Sequence, residues 1–262
     1  MIQDLTVTSL ETITAFNHIS GAYLFTLDEL QNATIGQGEE KTDITGRAGR
    51  KITSLKRNKT FTIDATNGML SAGLLSLQTG TDWETKETVV RHTDYLTVSG
   101  NEAATQWKAS GTAGAEIVDL IVKNEDGTLS NSLEQAETAA EGKFAYNPET
   151  KKLTFSGIQD GTEVIVYYDR KISADVLEGD GSKYSGKATL YIDFIAEDKC
   201  GKSYHGQFFV PKADISGEFS IEMGDNQTVH AFNAEALAGA CGLSGDNLWT
   251  FTIFGSDTQD AA

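Results

Sequence analysis

The sequence predicts a mainly β fold with one α-helix and a β-rich insertion. Three observations carry this. Glycine is frequent, at 26 of 262 residues, while proline occurs only twice, a turn-rich composition. Short apolar runs alternate with period two, the mark of strands with one buried face. Helical spacing is clear at only one place.

Taken in order, Leu5, Val7 and Leu10 suit a strand or an arm, and residues 1–20 are expected to order on assembly. Gly21 to Leu27 is a short strand, and the glycine- and charge-rich stretch Ala33 to Gly46 reads as a loop. Thr60 to Ala65 alternates as a strand. Leu70, Leu74 and Leu77 share one helix face, and Gly80 is placed to stop that helix. Thr85 to Ser99 reads as one or two strands, and Ala115 to Val122 as another, closed by the turn Asn124-Glu125-Asp126-Gly127. Residues 144–155 form a hairpin about Asn147-Pro148-Glu149-Thr150, followed by the apolar strand Thr162 to Tyr168. Later strands are expected at Leu190–Ile195, at Tyr204–Val210 with Pro211 as its end, at Glu218–Met223, and at Leu248–Phe254. The domain plan is a β-domain from 1–99 and 181–262, with 100–180 inserted; the tail 255–262 is also expected to order on assembly.

The net charge is −17, from 21 basic and 38 acidic residues. Such a chain is repelled by phosphate and by anionic bilayers, so general nucleic-acid binding and membrane association are excluded as expectations. DNA can still slide past an acidic wall. The N-terminal segment lacks a basic n-region and an apolar core, so no signal peptide is read there, and the expected site of synthesis is a cytoplasm. Two cysteines, Cys200 and Cys241, make no disulfide scaffold.

Chemistry-bearing motifs fail one by one. There is no Gly-x-Ser-x-Gly elbow and no Walker loop, and the four histidines are scattered. Calcium-loop registers centred on Gly127 and Gly181 lack the first and last ligands. The expectation is a protein without catalytic residues, metal or cofactor.

One segment departs from the rest. Arg47, Arg50, Lys51, Lys56, Arg57 and Lys59 place six positive charges in 13 residues with no acid among them, in a chain that otherwise sums to −23. An acidic surface suits such a run, and another copy of the same chain supplies one. Unlike patches on identical subunits meet head to tail, and that contact builds rings or filaments. A second candidate is the alternating face of Glu218, Ser220 and Glu222, with Asp225 just beyond; in a tube, these acids would line the bore.

Three runs resemble the major tail tube proteins of tailed bacteriophages: Ser216–Leu237, Gly38–Arg50 with the following Ser54–Lys59, and Leu248–Gly255. The resemblance covers about 20–99 and 185–255. It implies a β-sandwich or barrel-like fold with a packed α-helix, in a subunit that assembles into stacked, commonly hexameric rings whose sheets join around a lumen. The implied partners are other copies of the chain, a tape measure protein and tail terminator and initiator proteins. Genomic DNA passes without specific binding, and the implied location is the virion tail. Two other classes share the composition: a capsid decoration or other head protein, and a carbohydrate-binding β-sandwich module in which Trp83 or Trp107 stacks on sugars. Trp249, in an alternating strand, suits a core.

Overall fold

The computed structural model describes residues 4–124, 126–222, 229–239 and 247–255. Its strands are β1 (Leu5–Asn17), β2 (Tyr23–Leu27), β3 (Leu30–Thr45), β4 (Lys51–Asn67), β5 (Glu84–Thr97), β6 (Glu102–Ala104), β7 (Ile117–Lys123), β8 (Leu129–Ser132), β9 (Glu134–Gln135), β10 (Lys143–Asn147), β11 (Lys152–Thr154), β12 (Glu163–Val176), β13 (Lys187–Asp198), β14 (Ser203–Ile215), β15 (Ile221–Glu222), β16 (Val229–Ala236) and β17 (Thr250–Gly255). Among the described residues the sole α-helix is α1 (Ala72–Thr79). The fold is mainly β. The chain divides into two compact units, Met1–Trp83 with Leu177–Ala262, and Glu84–Val176.

The first unit is built on a sheet ordered β2-β1-β13-β14-β16-β4-β3. Strand β14 has two neighbours on one side: β17 pairs with Tyr204–Phe209, and β16 with Ala213–Ile215. The sheet is rolled. Phe25 of β2 and Phe232 of β16 lie four strand steps apart, about 19 Å in a flat sheet, yet their ring centroids are 6.2 Å apart. Rolling brings the inward residues of both edges into one core, which includes Ile13, Leu27, Ile63, Leu190, Ile192 and Phe232. Trp249 stacks on Phe61 at 5.4 Å, which is the core role expected for it.

Helix α1 closes this core where the leucine spacing places it. The Ser71 hydroxyl accepts the Leu74 N–H as N-cap, Leu74 is fully buried, and Gly80 takes the left-handed conformation (φ 69°) that ends the helix. A side chain at Gly80 would also collide with the Tyr184 carbonyl. Gln78 ties the helix to the sheet: its Nε2 donates to the Ala231 carbonyl (3.0 Å), and its Oε1 faces His230 Nε2 (2.9 Å). His230 is fully buried, and its Nδ1 accepts the Ser71 N–H (3.3 Å). Burial holds the imidazole pKa below its ordinary value.

Several elements differ from the sequence reading. Residues 5–17 are not an arm awaiting assembly: β1 pairs with both β13 and β2, and Ile13 and Ala15 are wholly buried. Ala33–Gly46 is not a loop but most of β3. Strand β14 does not stop at Pro211. The register shift between Ala188 and Leu190 places Pro211 at a bulge, where a missing N–H breaks no ladder bond. The expected strand from Glu218 to Met223 shrinks to Ile221–Glu222. Met223 and Asp225 lie outside the described residues.

The second unit has its own core, with Leu120, Phe144, Leu153, Val164, Val166 and Tyr168, under the sheets β5-β12-β7-β8 and β6-β11-β10-β9. It takes in β5, which the sequence reading grouped with the flanks, because β5 pairs with β12 along its whole length, from Glu84↔Val176 to Thr97↔Glu163. At its centre the Tyr168 hydroxyl donates to Asp94 (2.8 Å) and accepts the Trp107 N–H (3.1 Å). Burial, reinforced by the Asp94 carboxylate, pushes that phenol pKa up.

Candidate assembly surface on the β3–β4 ribbon

The six basic residues singled out from the sequence lie on the outer half of one hairpin. Arg47 opens a short 3₁₀ turn (Arg47–Gly49), Arg50 follows it, and Lys51, Lys56, Arg57 and Lys59 lie on β4. The ladder with β3 runs from Leu30↔Asn67 to Thr45↔Lys51. Phe61, Ile63 and Ala65 bury the inner half of β4, whereas no residue from Gln37 to Lys59 is buried. The outer half is therefore a two-stranded ribbon with solvent on both faces.

Two bulges shape it. Between Gly38↔Thr60 and Glu40↔Arg57, β4 carries an extra residue, and Asn58 there takes a left-handed φ of 48°. Asparagine tolerates that conformation better than most residues. Near the tip Ile52 is the extra residue between Ile44↔Thr53 and Thr45↔Lys51. Its side chain lies over Gly46, where any Cβ would collide with it.

Opposite residues of an antiparallel pair share a face, so the register sorts the ribbon into two. One face is a charge ladder: Lys51 pairs with Asp43 (2.7 Å) and Lys56 with Glu39 (2.7 Å). The hydrogen bond from Lys56 holds the Glu39 carboxyl pKa below its ordinary value. The other face carries Ile44 and Leu55, with Arg57 and Glu40 opposite each other, and Ile52 stands at the tip bulge next to Lys51. Ile52 is 70% exposed, Leu55 42% and Ile44 39%.

The basic run is thus partly matched within the chain, since β3 brings Glu39 and Asp43 diagonally across from two of its lysines. Arg47, Arg50 and Arg57 make no ion pair among the described residues. From Gly38 to Lys59 there are seven basic and three acidic residues, an excess of four positive charges. The rest of the first unit holds 19 acidic residues, five lysines and no arginine. Sequence reasoning missed the exposed apolar side chains of the ribbon: Ile44 and Leu55 share a face only once the register is known, and Ile52 is set at the tip by the bulge.

Of the acids expected to line a bore, two lie among the described residues. Glu218 is exposed in the segment before β15, Glu222 is exposed on β15, and Asp225 is outside the described residues. Neighbouring Phe219 is 42% exposed. Among the described residues no group of three or more His, Cys, Asp and Glu side chains is placed to hold a metal ion.

A projecting ribbon that buries nothing in its own unit, in a rolled sheet with one helix, is the geometry to set beside known proteins. A family model, described as the YomU/Tube protein family, matches residues 5–246, across both compact units. The chain belongs to this family. Membership marks a phage tube-like structural protein, the coarse form of the resemblance read from the sequence. A search of curated proteins returned no match.

Proposed function

We propose that this YomU/Tube family member is the subunit of a phage tail tube, assembling with copies of itself into stacked rings around a lumen through which genomic DNA is ejected. It is a structural, non-catalytic component of the virion tail, assembled in the host cytoplasm. A tape measure protein and the terminator and initiator proteins of the tail are its further partners. The observation that carries the reading is the ribbon: an apolar, arginine-bearing face with nothing of its own unit against it, on a unit that is otherwise strongly acidic. Exposed Ile44, Ile52 and Leu55 gain stability only by burial against another surface. The unlike charges of ribbon and body set a head-to-tail contact that repeats from copy to copy.

The test is negative-stain electron microscopy of the purified chain over a concentration and salt series, with wild type beside Arg47→Glu/Arg50→Glu/Arg57→Glu. Wild type should form rings or hollow tubes. The triple variant should fold with wild-type circular dichroism and stay unassembled. Normal tubes from the variant would refute the docking role of the arginines.

A further inference from the structure

The ribbon needs a receiving surface, and the first unit offers one at the end of α1. We infer that the ribbon tip of one copy seats in the groove beside the C-terminus of α1 on the next copy; this rests on the tube reading above and specifies its contact. The groove holds about 550 Å³ and is lined by the end of α1 (Gln78, Thr79), the 179–185 segment and Gly217–Phe219.

Two of its walls are aromatic and open: Tyr184 is 83% exposed and Phe219 42%. Flat aromatic walls with no ring partner among the described residues suit the aliphatic tips of Ile44, Ile52 and Leu55. Its acids, Asp180 and the adjoining Glu218, are both exposed and face a ribbon with four excess positive charges. Lys183 is the one base in the lining. Glu218 thus has a place in assembly, as a flank of the groove.

The occupant must come from another copy. The tip lies at one end of β4 and α1 follows the other end, so Lys51 and Asn67 are separated by 16 residues of paired strand. At about 3.3 Å per residue that is roughly 50 Å of laddered ribbon, and even bent at its bulges it does not fold back on its own root. Tip and groove are different surfaces of the same chain, so the contact is heterologous and each docked copy presents a fresh tip and a fresh groove.

The groove variant Tyr184→Ser/Glu218→Lys changes two exposed side chains and should leave circular dichroism and melting temperature unchanged. Sedimentable polymer should be lost. Mixing it with Arg47→Glu/Arg50→Glu/Arg57→Glu should give dimers without longer polymers, because the first keeps a working ribbon and the second a working groove. A direct readout uses Ile52→Cys/Phe219→Cys in a chain whose Cys200 and Cys241 are changed to Ser. Mild oxidation of assembled protein should yield a ladder of covalent oligomers, and dilute monomer should yield none. Wild-type polymer from the groove variant, or polymer that gives no ladder, overturns the groove and leaves the tube reading standing. A wild-type chain that remains monomeric at every concentration and salt overturns both.

Discussion

Strands β3 and β4 pass through two environments without a break in their pairing. From Phe61 inward, β4 alternates buried and open residues and contributes Phe61, Ile63 and Ala65 to the core. From Lys59 outward the same strand buries nothing. The ladder bonds are of one kind in both halves, so backbone pairing does not separate them; side-chain burial does. An exposed two-stranded ribbon adds little to stability in water, and that leaves its side chains free of the constraint that core residues obey. The contrast teaches that the inner half serves the fold, whereas the outer half is left free for the contact with another copy proposed above.

The sharpest way to break this comparison is to damage each half and measure folding. Phe232 is wholly buried opposite the inner half, on the strand that pairs with β4. Phe232→Ala should cost about 3–5 kcal/mol, a large share of the roughly 5–15 kcal/mol that holds an ordinary domain, and should weaken assembly by unfolding the subunit. The ribbon arginine variant should instead melt with wild type, because surface substitutions away from such features shift stability by about 0.5 kcal/mol or less. A ribbon variant that melts as early as Phe232→Ala would show that the outer half belongs to the fold after all.

A smaller effect comes from His230, which locks α1 to the inner half. With Gln78 Nε2 committed to the Ala231 carbonyl, Gln78 Oε1 accepts from His230 Nε2, and His230 Nδ1 is left to accept from Ser71. A second proton on Nδ1 would face an N–H donor in a site that disfavours charge. The folded pKa therefore lies below the unfolded value of about 6.5. The stability this neutral imidazole contributes is complete above about pH 6.5 and is lost as pH falls from there through the folded pKa. The urea midpoint of the wild type should drop more steeply between about pH 7 and about pH 5 than that of His230→Gln. Equal slopes would remove His230 from the account.

How legible each half was follows from the same contrast. Leu70, Leu74, Leu77 and Gly80 announced α1 because helix periodicity and a left-handed stop are local signals, although Leu70 turned out half exposed, before the helix begins. Phe61 and Ile63 were legible as a half-buried strand for the same reason. Strand β3 was not: Gly36, Gly38, Glu39, Glu40 and Asp43 disfavour a strand by composition, and their pairing with β4 is a cross-strand fact that no single segment contains. Pro211 misled because a bulge excuses a proline only when the partner strand is known. The basic run was visible as charge, whereas its division into a laddered face and an apolar face depends on two bulges. The groove was illegible because Tyr184 and Phe219 come from segments more than 30 residues apart.

The charge ladder itself offers the finest test of the division between the two faces. Lys56 and Glu39 are both well exposed, so their ion pair is screened by water and salt and carries little folding energy. Lys56→Ala should therefore leave the melting temperature unmoved. It should still be visible locally, because the hydrogen bond from Lys56 is the largest influence lowering the Glu39 carboxyl pKa, and its removal should let that group titrate closer to an ordinary glutamate in a carboxyl-detected NMR series. Assembly should weaken far less than in the arginine variant, since Lys56 lies across the ribbon from Leu55 and Arg57, with its charge already matched at home. Tubes lost equally in Lys56→Ala and in the arginine variant would mean that both faces of the ribbon are gripped, and that the contact encloses the ribbon rather than seating one side of it.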